Sequence, residues 1–188
     1  MSFFPAYFNL NHKKILLVGG GTIALEKLEK LVDFTKDITV ISKEFSADFS
    51  SFAREHKIEM QERYYVEGDI DGFDIVIVAT DTITLHKAIF EESRKSRILV
   101  NSVDDTAYCD FIFPSYIKNG DLTISVSTSG ASPALAKRLK VYLQNVVPSN
   151  IGEFLAEMKA LRKTMPKGKE RMKFFEAKTD KFMEKYFK

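Results

Sequence analysis

Three glycines stand together at Gly19, Gly20 and Gly21, after the apolar run Ile15 to Val18 and before Ala24, Leu28, Leu31 and Val32, which recur at the spacing of one helix face. In that order of strand, turn and helix, Gly19 supplies a tight turn and Gly21 lets the backbone approach a phosphate. Ala24 replaces the third glycine where helix and strand pack closely. Unpaired N–H groups and the positive dipole end of the following helix favour an anion. The implied chemistry is the cradling of a pyrophosphate, with Thr22 and Ile23 in the same loop. A second set of donors, Ser127, Thr128, Ser129 and Gly130, precedes "ASPALAKRLKVYL" and suits either an anion site or a helix cap.

The elements that position these residues follow from apolar patterning. After the first strand and helix, "ITVI" (Ile38 to Ile41) reads as a second buried strand, Phe45 to Glu55 as a helix and Ile58 to Tyr64 as a third strand. "FDIVIVATD" (Phe73 to Asp81) is the strongest strand, followed by a helix from about Thr84 to Lys95 and a fifth strand from Arg97 to Val103. Strands with continuous apolar character, alternating with helices, imply an α/β domain with a parallel sheet covered on both faces. The expectation is a doubly wound, Rossmann-like domain over residues 1–113. Ligands of such sheets lie beyond the carboxyl ends of the strands, which groups Gly19 to Ile23, Ser42 to Glu44, Thr80 with Asp81, and Asn101 to Asp105.

Beyond that the pattern changes. Asn119-Gly120 between two strand-like runs signals a hairpin. Ser132 then reads as an N-cap with Pro133 at the first helical position, and Leu135, Leu139 and Leu143 share a helix face. A hairpin and one helix, over residues 114–147, are too small to bury their own apolar surface and are expected to pack on the same region of a second chain, giving a homodimer. Residues 148–188 read as a helical, charged domain broken around Pro166-Lys167-Gly168.

Composition sets further bounds. With 188 residues, 45% hydrophobic and 29% charged, the chain is an ordinary globular one, and a net charge of +2 calls for no nucleic acid. One cysteine, Cys109, rules out an internal disulfide and fits a reducing cytoplasm. His12, His56 and His86 show no ligand spacing, so no resident metal is expected. His86 reads as a solvated surface histidine and Cys109 as a buried apolar filler. The opening "MSFFPAYFNL" is interrupted by Pro5 and Asn9, and no run approaches a membrane span, so a cytoplasmic protein with no membrane association is expected.

The segments "FFPAYFNLNHKKILLVGGGTIALEK", "VATD", "NSVDDTAYCDFIFPS" and "ISVSTSGASPALAKRL", in this order and spacing, resemble the precorrin-2 dehydrogenase module of siroheme synthases. The likeness spans essentially the whole chain, and the SxGxSP-type segment Ser129 to Pro133 is more diagnostic than the glycine loop. No methyltransferase segment accompanies the module, so the form expected is the stand-alone one. The resemblance implies NAD-dependent oxidation of precorrin-2 to sirohydrochlorin and, in some members, insertion of ferrous iron as a second substrate. It places Gly19, Gly21, Thr22, Ile23 and Ala24 on the dinucleotide, with Ser42, Lys43 and Glu44 near its adenosine ribose; Thr80, Asp81 and Asn101, at the carboxyl ends of neighbouring strands, are expected along the same cofactor. The family's essential aspartate falls on Asp104, a carboxylate suited to general-base work, with Asp105 as its competitor because neighbouring strand residues face opposite ways. Ser127 to Gly130 become donors to the carboxylates of the substrate.

One departure bears on the cofactor. The acidic residue that closes the second strand in NAD-binding domains is replaced here by Ser42-Lys43-Glu44. A lysine at that place suits a 2′-phosphate, so NADP stays open beside NAD. A different reading also stands: a nucleotide-sensing regulatory module would use the same glycine loop without chemistry, though it gives no reason for "NSVDD" or "STSGASP".

Overall fold

Ile15–Val18 (β1) and Ile75–Val78 (β4) are buried at every position, as their unbroken apolar sequences require of strands covered on both faces. In the computed structural model, which describes residues 3–103 and 105–187, they are the central pair of a five-stranded parallel sheet. Ile38–Ser42 (β2) and Glu59–Glu62 (β3) continue it on one side and Leu99–Ser102 (β5) on the other, in the order β3-β2-β1-β4-β5. Val18 pairs with both Ile41 and Val78, so the carboxyl ends of the three middle strands finish level. Helices Thr22–Leu31 (α1), Ala47–Glu55 (α2) and Ile83–Ser96 (α3) make the crossovers. The chain order reverses between β1 and β4, the switch point of a doubly wound, Rossmann-like fold.

The core is aliphatic. Leu16, Val18, Val76, Val78, Ile89 and Val100 pack in one cluster, and removing a large member such as Ile89 is expected to destabilise by about 2–5 kcal/mol. The α2 helix starts two residues later than its sequence suggests, because Ser46 is the N-cap and its hydroxyl accepts from Phe49 N at 3.2 Å. The third strand is shorter than expected and largely exposed, since it lies at the end of the sheet with polar residues Glu59, Gln61 and Glu62. At the other end, Asp110 turns back on β5: its N–H donates to Val100 O at 2.8 Å, and its carboxylate accepts from Val100 N at 2.8 Å and from Arg94 Nη2 at 2.5 Å.

The first and fourth strands are also tied at their entrances. Asp74 accepts from Lys13 Nζ at 2.6 Å and Lys14 N at 3.0 Å, and these two bonds hold its carboxyl below the ordinary 3.8. A carboxyl whose pKa is depressed by folding stabilises the fold above its unfolded value, and that stabilisation drains away as pH falls through the folded value. The urea midpoint of Asp74→Asn is thus expected to lie below wild type near neutrality and to converge with it under acid conditions. A constant gap at every pH would reject the linkage.

From Phe113 onward the chain forms a second compact unit. Ser115–Asn119 (β6) and Leu122–Val126 (β7) pair antiparallel, and helices Pro133–Val146 (α4), Ile151–Thr164 (α5) and Lys169–Tyr186 (α6) follow. The hairpin turn is Gly120-Asp121, one residue on from the Asn-Gly pair singled out in the sequence. Gly120 has φ 58°, as the first central residue of a two-residue hairpin requires. Asn119 instead ends β6, with its amide donating to Ser149 O at 2.9 Å. Ser132 caps α4 by accepting from Leu135 N at 3.2 Å, with Pro133 opening the helix as expected. Phe154 and Phe182 stack at 4.1 Å between α5 and α6, which belong to the same unit as the hairpin. Only Ala136 of α4 is buried, while Leu135 and Leu139 of its apolar face are exposed. No described helix is long and apolar enough to cross a membrane.

Candidate nucleotide cleft

The carboxyl ends of β1, β2 and β4 open into one cleft of about 790 Å³, within the range of ligand pockets. Its floor is the glycine loop. Gly19 has φ 131°, and a Cβ there would stand 2.1 Å from Ala79 O, so strand β4 passes where any side chain would be. Gly21 is the opposite case: a Cβ would meet nothing within 4 Å, because that side faces the cleft. Gly21 also heads α1 without a side-chain cap, which leaves the first helical N–H groups at the cleft floor. Backbone that can be approached closely and donors at a helix head together fit a pyrophosphate. Ala24 is fully buried under the loop, filling the close-packing role its position suggests rather than facing the cleft.

One wall is the loop after β2. Ser42, Lys43 and Glu44 line the cleft, with the Ser42 hydroxyl donating to Glu44 O at 2.7 Å. Across from them stand Thr80, Asp81 and Thr82, after β4. The structure therefore brings together Gly19, Gly21, Thr22, Ile23, Ser42, Lys43, Glu44, Thr80 and Asp81. Asn101 is not among the lining residues: it is buried in β5, and its amide donates to Phe111 O at 2.8 Å, a partner that sequence could not reveal. Ser127 to Gly130 belong to the second unit, where Ser132 N donates to Thr128 Oγ1 at 3.1 Å and Ser129 N to Ser127 Oγ at 3.1 Å, so these hydroxyls already help shape the turn before α4. Asp104 lies outside the described residues. Its competitor Asp105 caps the short 3-10 turn Thr106–Tyr108, accepting from Ala107 N at 2.9 Å.

Several cleft residues escaped the sequence reading. Gly20, grouped with the loop in the sequence, has a restriction that was not visible there, since a Cβ would lie 2.5 Å from Glu44 O. Tyr64, 69% exposed, lines the cleft beyond β3, with Lys43 Nζ 5.9 Å from its ring centre. Its loop is fixed by two clasps. Arg63 grips Asp69 through bonds of 2.6 and 2.9 Å, and Glu92 on α3 accepts from Tyr65 OH at 2.6 Å and Gly68 N at 2.7 Å. Burial, together with the Glu92 bond, pushes the Tyr65 phenol far up, so it stays a neutral donor.

Two expectations are corrected here. His86 is not a solvated surface residue: it is 4% exposed and bonded on both ring nitrogens, with Nδ1 2.5 Å from Ser102 Oγ and Nε2 2.8 Å from Thr80 O. It shares the buried stripe of α3 with Ile89 and Ser93, a spacing of three and seven that was visible in the sequence. Cys109 is half-buried rather than an apolar filler. Its thiol donates to Ser102 O at 3.0 Å and accepts from Ser102 N at 3.2 Å, and burial raises its pKa, which keeps it a thiol. Among the described residues, no three His, Cys, Asp or Glu side chains gather where they could hold a metal ion.

Comparison with known proteins agrees with a nucleotide-binding fold. Residues 6–115 match the family described as putative NAD(P)-binding, and residues 119–141 match the sirohaem biosynthesis protein central segment. The chain is similar to the siroheme synthase of Pseudoalteromonas translucida (strain TAC 125), 34% identical over 93% of this chain and 36% of that protein. It is 33% identical to the siroheme synthase of Neisseria meningitidis serogroup C (strain 053442), over 94% of this chain and 38% of the other. The chain thus spans little more than a third of the length of these curated relatives. Among solved structures it is similar to SirC, precorrin-2 dehydrogenase, with a TM-score of 0.76 and 26% identity over 90% of this chain and 85% of that one.

Proposed function

We propose, because the chain belongs to the putative NAD(P)-binding family and within it to the precorrin-2 dehydrogenase modules of siroheme synthesis, that it oxidises precorrin-2 to sirohydrochlorin in the cytoplasm, with NAD as the acceptor. The observation that carries this reading is Gly21, which opens on the cleft at the uncapped head of α1. The N–H groups there hold the pyrophosphate, and Ser42 to Glu44 hold the adenosine ribose. Tyr64 offers an aromatic face to the adenine. When bound, the nicotinamide supplies the acceptor for the hydride that leaves the macrocycle. The proton lost in the same oxidation goes to Asp104. That Asp105 commits one carboxylate oxygen to capping the turn at Ala107 N supports Asp104 as the base. Ser127 to Gly130 donate to substrate carboxylates, in a homodimer for which the exposed Leu135 and Leu139 on α4 provide apolar surface.

Asp104→Ala is expected to lower kcat by about 10²–10⁴ with nucleotide affinity nearly unchanged. Asp105→Ala should retain turnover and lose about 1 kcal/mol of stability through its cap. Equal losses of kcat in both variants would reject the assignment.

The test of the function itself is anaerobic incubation of the protein with freshly made precorrin-2 and either NAD or NADP, followed by the sirohydrochlorin spectrum and then by addition of ferrous iron. Cofactor-dependent conversion is the expected result. The two nucleotides compared decide the preference that Lys43 leaves open, and the spectrum after iron decides whether insertion follows. No conversion by protein that binds nucleotide would turn the reading to a sensing module.

A further inference from the structure

The mechanism above makes no use of His86, a buried histidine with both ring nitrogens engaged. We infer that His86 is a positioning residue for the nucleotide: it holds the Thr80 wall of the cleft at a fixed distance from β5. This rests on the nucleotide reading of the cleft.

The argument starts from the bonding partners. Thr80 O is a carbonyl and only accepts, so the nitrogen 2.8 Å from it, Nε2, must carry the hydrogen. The other nitrogen, Nδ1, lies 2.5 Å from the Ser102 hydroxyl, which can serve as either donor or acceptor to it. Thr80 Oγ1 lies 3.3 Å from the same Nε2 and accepts from Thr82 N at 3.3 Å, so one imidazole anchors the turn between β4 and α3. Ser102 is itself fixed, in the last position of β5 and clamped on N and O by the Cys109 thiol. The ring is therefore a rigid strut from an immobile strand end to a cleft wall.

Without the strut, the turn would keep the bonds of Leu85 N and His86 N to Thr82 O and of Thr82 N to Thr80 Oγ1, but would lose its tie through the imidazole to Ser102 on β5. Thr80 and Thr82 both line the cleft, and Thr82 gives α3 no side-chain cap, so the bonds that remain hold the turn to itself and to α3 rather than to the far strand. A wall that is held before the ligand arrives need not be ordered by binding, which favours affinity.

The substitutions separate the two bonds. Glutamine places an amide nitrogen near the position of Nε2 and keeps the donor to Thr80 O, whereas alanine loses both. His86→Ala is expected to raise the Kd for NAD about tenfold, and His86→Gln to recover it to within about threefold of wild type, both measured calorimetrically on the full chain. In the wild-type protein, nitrogen-15 shifts of the imidazole are expected to show hydrogen on Nε2, a readout independent of variant folding. The inference is overturned by an Nε2 without hydrogen, by unchanged affinity in His86→Ala, or by a glutamine variant no better than alanine. Wild-type protein that binds neither NAD nor NADP would instead bring down the nucleotide reading, and this role with it.

Discussion

Gly19→Ala is expected to lower the thermal midpoint of the protein by about 10 °C or more. Two independent causes act at the same residue. The added Cβ would stand 2.1 Å from Ala79 O and 2.8 Å from Ala79 C, backbone atoms of a buried strand end that no rotamer change can move. The residue also sits at φ 131°, a conformation that side chains rarely adopt. Overpacking and backbone strain together cost about 3–5 kcal/mol, a large share of the roughly 5–15 kcal/mol that holds a domain together. Thermal circular dichroism reads this directly, without ligand. A variant that melts with wild type would mean that β1 and β4 are not packed as described.

Two residues on, the expected effect has the reverse character. Gly21→Asp should fold as well as wild type, because φ −93° and ψ −167° are open to any residue and nothing stands within 4 Å. Aspartate is even a favoured N-cap, worth a few tenths of a kcal/mol over glycine. Its carboxylate, however, points into the place proposed for the pyrophosphate. Like charges about 4 Å apart repel by about 4 kcal/mol at the effective dielectric of a protein surface. The affinity for NAD should thus fall by at least about a hundredfold, with the melting temperature unchanged. Retained affinity would show that no nucleotide lies across the head of α1. Neighbouring glycines are in this way separated into one that protects the fold and one that protects the ligand.

That separation was only partly legible in the sequence. Gly19 and Gly21 have their places marked by the order of strand, turn and helix, although the contact that restricts Gly19, with Ala79 O, is a distant one and Gly21 meets no contact at all. Gly20 has no such mark, and its restriction comes from Glu44 O, which the chain reaches only after α1 and β2. The same distinction runs through the rest of the fold. β1 and β4 were readable because burial on both faces leaves an unbroken apolar run. β3 was overextended in the reading because a strand at the end of a sheet is half solvated and its pattern fades. His86 and Asn101 were misplaced because their partners, Thr80, Ser102 and Phe111, lie 6 to 16 residues away and pattern alone does not pair polar groups. In the hairpin, the strong dipeptide signal at Asn119-Gly120 was displaced by one residue: Asn119 holds the loop before α5 through Ser149 O, leaving Gly120 to open the turn.

The two ends of the sheet bear on how copies of this chain can associate. At β5, the outward N–H and C=O of Val100 are both taken by Asp110 of the same chain, so an incoming strand finds that ladder already filled. At β3, two carboxylates, Glu59 and Glu62, stand on a strand of only four residues, and a second copy aligned there would bring like charges together. Neither end is a template for continued growth, so the sheet is protected against fibrillar extension.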